Sequence, residues 1–213
     1  AIVEALKAEG VRFVFGLRGG FGLRPDDPDI TPIQVRYEGS APFMAMAYAR
    51  LSGKVGVCAT ASGGNGLTNM VSGVLEAYSA CSPIITFVGR WAGTPPSQEL
   101  EGMGAFAECD NIGVMRPVTK WSVRVPKAER MNWFLHRAFS TSLNGRPGPV
   151  FLEVPEDVMD ADVEMPRYKP VALLRTRGDP ERIAEAVDLL LKAERPLVVA
   201  LSLIHISEPT RPY

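Results

Sequence analysis

Cysteine, histidine and net charge are all scarce in this sequence. Its 213 residues hold three cysteines, Cys58, Cys81 and Cys109, and two histidines. An odd number of cysteines at wide spacing fits neither a disulfide framework nor a zinc site. They fit reduced, mostly buried thiols and a cytoplasmic setting. Lys and Arg number 23 against 24 Asp and Glu, so no excess of either sign points to nucleic acid or a membrane surface. No apolar run approaches the ~20 residues that cross a bilayer. The opening residues read as an amphipathic helix, without the basic-then-apolar pattern of a leader. What is present is ordinary for a globular protein, with 46% hydrophobic and 22% charged residues. The length is enough for one complete domain and part of another.

Strand-like and helical runs alternate along most of the chain. Ile2 to Ala8 has a helical pattern with Gly10 as its stop. Arg12 to Phe15 is a short strand before the turn Gly16 to Gly20. A buried strand from Ile33 to Tyr37, a helix over 40–51, a strand over 55–60, a helix over 67–79 and a strand from Pro83 to Val88 follow. After an irregular stretch come a strand from Val118 to Val125, a helix from Ala128 to Ser142 and a strand from Gly148 to Val154. Alternation of this kind, with Val- and Ile-rich strands, predicts an α/β fold in which a parallel sheet carries helices on both faces. The expected domain spans 1–160, with a Pro-containing linker over 161–178. Residues 179–200 read as the truncated start of a second α/β domain. There Asp179 and Pro180 open the amphipathic helix Ile183 to Leu191, and Leu197 to Leu201 begins another strand. Residues 201–213 resemble the in-frame translation of a sequencing adapter, so His205 carries no functional weight.

Glu38 is the leading candidate residue. It closes the run Ile33 to Tyr37 and precedes the helix over 40–51, so it lies where open α/β sheets bind ligands and where a helix N-terminus favours negative charge. The plainer reading is a surface carboxylate capping that helix. Strand 55–60 leads into Ser62-Gly63-Gly64-Asn65-Gly66-Leu67-Thr68-Asn69, a second strand-to-helix turn. Its glycines serve either as simple turn residues or as a surface that a ligand approaches closely. It is not a phosphate-binding P-loop, because no Lys-Ser/Thr pair follows.

Six segments in order resemble the N-terminal, pyrimidine-binding domain of thiamine-diphosphate enzymes of the acetolactate synthase group. Ala1 to Gly20 is similar to that family's first helix, strand and Gly-Gly turn. Arg36-Tyr37-Glu38-Gly39 resembles its Arg-His-Glu-Gln segment, and Gly39 to Gly53 its Ala-rich helix. Gly56 to Asn69 resembles its Gly-Val-Cys strand and Ser-Gly-Pro-Gly-Ala-Thr-Asn turn. Arg116 to Lys120 and Gly145 to Val150 are similar to two further segments. The likeness covers roughly residues 1 to 200.

The resemblance implies a thiamine-diphosphate-binding fold and a specific chemistry. Glu38 would hydrogen-bond the cofactor's aminopyrimidine ring nitrogen and promote the tautomer that deprotonates the thiazolium carbon. Gly63, Gly64, Asn65 and Asn69 would lie near the pyrimidine. Phe106 and Arg90 would line the substrate channel, although a core Phe and a solvated Arg are the plainer readings. Mg²⁺ and the diphosphate would be held by a C-terminal domain that this sequence lacks, and FAD by a central domain. Gly178-Asp179-Pro180 does not make the family's Gly-Asp-Gly metal motif. The implied activity is decarboxylation of a 2-oxo acid and condensation of the product with a second one, as in branched-chain amino acid biosynthesis. The implied assembly is a homodimer or homotetramer.

Some positions depart from the family pattern. Tyr37 stands for His, Gly39 for Gln and Ala107 for Gln, and the turn after strand 55–60 lacks Pro and gains a residue. These changes admit a related decarboxylase or lyase acting on oxalyl-CoA, benzoylformate or sulfoacetaldehyde. A non-catalytic α/β binding module is a second class, and a flavodoxin-like nucleotide module a third. An intact Glu38 argues against the second, and the lack of a phosphate cradle against the third.

Overall fold

The computed structural model describes residues 1–17, 27–61, 63–90, 109–174 and 177–199, with the side chain of Arg90 excepted. Six strands form one sheet: β1 (Phe13–Leu17), β2 (Thr31–Gln34), β3 (Gly56–Thr60), β4 (Ile84–Arg90), β5 (Trp121–Arg124) and β6 (Val150–Pro155). Every pairing is parallel and the order is β2-β1-β3-β4-β6-β5. The expected α/β architecture is therefore present. Strands β3 and β6 are buried along their whole length, as parallel strands covered on both faces must be.

The helices are α1 (Ile2–Ala8), α2 (Ser40–Ser52), α3 (Asn65–Ser79), α4 (Asn111–Met115), α5 (Met131–Leu143), α6 (Glu156–Met159) and α7 (Pro180–Lys192). Because side chains alternate across a strand, the sheet supports two separate cores. On one face Val14, Val57, Ile85, Phe87, Val150 and Leu152 pack with Leu6 of α1 and Leu135 and Phe139 of α5. On the other, Phe15, Cys58, Ile84, Val88 and Phe151 pack with Ala41 and Ala45 of α2 and Leu67, Met70 and Val74 of α3. Cys58 sits wholly in this second core, where burial pushes its thiol up to about 12. All three cysteines are free, and Cys58 and Cys81 are buried. No helix among the described residues is long and apolar enough to cross a membrane.

Two strand expectations need correction. Strand β2 runs Thr31–Gln34 rather than Ile33 to Tyr37, and it is only partly buried. It is an edge strand with a partner on one side alone, so an apolar run there does not mark a buried centre. After a last bond from Val35 N to Gly16 O at 2.9 Å, the chain turns at Arg36–Gly39. Residues 197–199 are exposed and outside any strand, since a parallel strand exists only with a neighbour to bond and none pairs with them among the described residues.

Part of the expected linker is also fastened to the first domain. Tyr168 is buried and donates its hydroxyl to Glu9 Oε1 at 2.6 Å, and the same oxygen accepts from Val171 N at 2.9 Å. Val163, Met165 and Val171 pack against the α1/α5 core. Asn132 Nδ2 donates to Pro166 O at 2.6 Å, and Asn144 Oδ1 accepts from Leu174 N at 2.7 Å. Residues 163–174 thus form a strap across that face. Replacing Tyr168 by Ala should destabilise the chain by about 3–5 kcal/mol, as for a buried aromatic, and Tyr168→Phe by about 1.5–3 kcal/mol, as for one hydrogen bond to a carboxylate. Urea unfolding of the 213-residue chain, read at the midpoint, checks the difference.

Candidate functional site

Sheet topology fixes where a site can form. The chain moves from β1 to β2 on one side, then returns over β1 through α2 to β3 on the other. The strand order reverses between β1 and β3, and ligands of open α/β sheets bind outside the carboxyl ends at such a point. Two turns flank it: Arg36–Gly39 between β2 and α2, and the turn ending in Gly63-Gly64 between β3 and α3.

Glu38 lies in the first turn, one residue before the N-cap Gly39 of α2, rather than at the end of a strand. Its backbone oxygen accepts from Ala41 N at 3.0 Å, which starts the helix. The side chain is half-buried, and its Oε2 accepts a hydrogen bond from Asn69 Nδ2 at 3.2 Å. Among the described residues, Oε1 takes part in no hydrogen bond. The carboxylate therefore does not cap α2 through its side chain. It is turned toward α3, tethered by one oxygen and presenting the other.

Asn69 is in the second turn of α3, half-buried on the side that faces α2. That α3 starts at Asn65, two residues before the expected position, follows from Gly64. Gly64 is the N-cap, at φ 59° and ψ −115°, a backbone region that only glycine enters freely. Gly64 is buried, Gly63 is half-buried and Asn65 is exposed. The structure thus joins Glu38 to Asn69, on the helix that the Gly63-Gly64 turn opens, whereas Asn65 is exposed. Phe106 lies outside the described residues, as do Trp91, Ala107, His205, the Gly19-Gly20 turn and the side chain of Arg90.

Two departures noted in the sequence prove to be linked. A Cβ at Gly39 would meet Tyr37 Cε1 at 2.5 Å and Asn69 O at 2.9 Å. The Tyr37 ring occupies the space that any larger residue at 39 would need, and glycine there lets α2 approach α3.

Sequence reasoning missed three residues behind the turn. Asn111, Glu153 and Arg124 form a buried hydrogen-bonded line that ends on Gly64 N. One signal was available: Glu153 interrupts an otherwise apolar strand, and a carboxylate buried in a parallel sheet requires partners.

Comparison with known proteins identifies the family. Residues 1–114 match the family described as thiamine pyrophosphate enzyme, N-terminal TPP binding domain. The chain is 37% identical to the probable acetolactate synthase large subunit of Methanocaldococcus jannaschii, over 94% of this chain and 35% of that protein. It is 37% identical to the acetolactate synthase large subunit of Haemophilus influenzae, over 92% of this chain and 35% of that protein. For the acetolactate synthase isozyme 3 large subunit of Escherichia coli the figures are 34%, 92% and 35%. The chain spans about a third of the length of these curated relatives.

The backbone at Gly64 supplies a direct test of the turn. Gly64→Ala should destabilise the chain by about 1–3 kcal/mol because Ala cannot relax at this φ. Asn65→Ala, at an exposed position, should shift stability by no more than about 0.5 kcal/mol. Chemical denaturation of both variants at one temperature checks the contrast.

Proposed function

The chain belongs to the thiamine pyrophosphate enzymes through their N-terminal TPP binding domain, and on that premise we propose that it is the pyrimidine-binding portion of an acetolactate synthase-like enzyme. The observation that carries the proposal is the Glu38–Asn69 contact at the strand-order reversal. The donor set fits thiamine diphosphate. A half-buried carboxylate with one oxygen tethered and the other presented suits a flat nitrogen heterocycle, and the Gly63-Gly64 turn lets a ring approach the backbone closely.

When bound, thiamine diphosphate would supply a nucleophilic carbon and an electron sink for the decarboxylation of a 2-oxo acid. The residues of this chain act on the other ring. Glu38 would hydrogen-bond a pyrimidine ring nitrogen through its other oxygen and share a proton with it, while Asn69 Nδ2 holds the carboxylate by donating to Oε2. Gly63 and Gly64 would lie near the pyrimidine. Phe106 and Arg90 contribute to the substrate channel. Asn65, exposed in this structure, has the weakest claim to a contact.

The remaining parts of the proposal rest on the family resemblance. Residues 1–160 form the pyrimidine-binding domain, 161–178 a connection, 179–200 the start of a central α/β domain, and 201–213 a non-native tail. Mg²⁺, the diphosphate contacts and any FAD would be supplied outside these residues, in a cytoplasmic homodimer or homotetramer. The substrate is a small 2-oxo acid and the product a condensed acid, as in branched-chain amino acid biosynthesis. The Tyr37–Gly39 pairing favours a second reading of the substrate alone, a lyase acting on oxalyl-CoA, benzoylformate or sulfoacetaldehyde.

In the full-length enzyme, Glu38→Gln should slow proton exchange at the thiazolium carbon of bound thiamine diphosphate by at least about a hundredfold, the scale of a lost acid–base group. Exchange at the wild-type rate would remove Glu38 from the chemistry. Product analysis with pyruvate separates the two substrate readings: acetolactate supports the first, and no turnover of pyruvate supports the second.

A further inference from the structure

Behind the Gly63-Gly64 turn lies a polar line that holds the one buried charge on that face of the sheet among the described residues. Glu153 sits in β6 with its side chain fully buried. It is on the α2/α3 face, because its neighbours Leu152 and Val154 belong to the opposite core. Its Oε2 accepts from Arg124 Nε of β5 at 2.6 Å, and its Oε1 accepts from Asn111 Nδ2 at 2.6 Å. Asn111, itself buried at the start of α4, accepts on Oδ1 from Gly64 N at 3.0 Å and from Cys109 Sγ at 3.3 Å. Its amide orientation follows from its neighbours: a carboxylate only accepts and a backbone N–H only donates, so Nδ2 must face Glu153 and Oδ1 must face Gly64. The turn is shaped around this side chain, since a Cβ at Gly63 would lie 2.5 Å from Asn111 Nδ2.

A buried ion pair adds little net stability compared with apolar residues of the same volume. The Arg124–Glu153 pair is therefore poorly explained by stability alone. Its directional hydrogen bonds do explain something else. Gly64 N belongs to the first turn of α3, where no helix carbonyl can accept it. Asn111 supplies that acceptor and fixes the position of the helix start. Asn69 is five residues further along the same helix, and its Nδ2 holds Glu38.

We propose that Asn111, held by Glu153 and Arg124, is a positioning residue that sets the Gly63-Gly64 turn and, through α3, the Asn69–Glu38 contact against the pyrimidine ring. The inference rests on the function proposed above and extends it to residues remote from the ring. Its chemistry is a relay of donors and acceptors, with no proton or bond exchanged. It predicts that the direction of the hydrogen bonds between 111 and 153 is interchangeable, provided that both ends remain matched. Asn111→Asp alone sets two carboxylates against each other, and Glu153→Gln alone removes the charge facing Arg124. The double variant restores the match. The carboxylate introduced at position 111 accepts from Gly64 N and from the amide introduced at position 153, whose oxygen accepts from Arg124.

The test measures thiamine diphosphate affinity of the full-length enzyme by calorimetry, together with amide hydrogen exchange at Gly64. Each single variant should weaken binding by about tenfold or more and raise exchange at Gly64, whereas the double variant should return to within about threefold of wild type, the size expected of a directly coupled pair. A double variant no better than the weaker single variant would overturn the proposal, as would single variants that bind like wild type. If neither single variant folds, the double variant carries the test: binding within threefold supports the relay, and failure to bind overturns it. A wild-type enzyme that binds no thiamine diphosphate would instead contradict the function on which the relay rests.

Discussion

The hydrogen bond from Asn69 Nδ2 to Glu38 Oε2 ties together the two helices on which the candidate site is built. α2 follows β2 and α3 follows β3, and the two strands lie on opposite sides of β1. Without the reversal of strand order at β1, a residue at the start of α2 and another in the second turn of α3 would not face each other. The apolar packing of Ala41 and Ala45 against Leu67, Met70 and Val74 brings the helices together. The polar contact near their N-terminal ends then fixes the Glu38 carboxylate against α3. Non-directional packing sets the separation and a directional bond sets the orientation.

The same division holds behind the turn. The core on the α2/α3 face is apolar apart from a few satisfied groups, and Glu153 is its only buried charge among the described residues. That charge is bonded on both oxygens, to Arg124 and to Asn111. Its last link reaches a backbone N–H that helix geometry leaves without an intrahelical partner. Packing could not hold Gly64 in its positive-φ conformation with the same directionality. The line of polar groups therefore belongs with the site as well as with the core.

Sequence reasoning recovered the layered α/β architecture because β3, β4 and β6 are short apolar runs bounded by Gly and Pro, and that pattern is local. It misplaced the end of β2 because an edge strand mixes exposed and buried positions, so Val35 to Tyr37 resembled its continuation. Within the linker over 161–178, Pro and scattered charges hide Tyr168, whose partner Glu9 is far away in sequence. Glu38 was legible through its setting between a strand and a helix. Its bond to Asn69, 31 residues on, was not. Asn111 was invisible for the same reason, since its partners Gly64 and Glu153 lie 47 and 42 residues away. Glu153 alone left a trace, as a charge in an apolar strand.

We place the pyrimidine end of thiamine diphosphate at the strand-order reversal between β1 and β3, beside the Glu38 turn and the Gly63-Gly64 turn. Hydrogen-exchange mass spectrometry of the full-length enzyme, with and without thiamine diphosphate and Mg²⁺, tests it most directly. Within residues 1–160, protection should rise in peptides covering 36–41 and 63–70, while peptides from α1 and α5 on the opposite face stay unchanged. Protection confined to the α1/α5 face, or none at the two turns while the cofactor is bound, would contradict it.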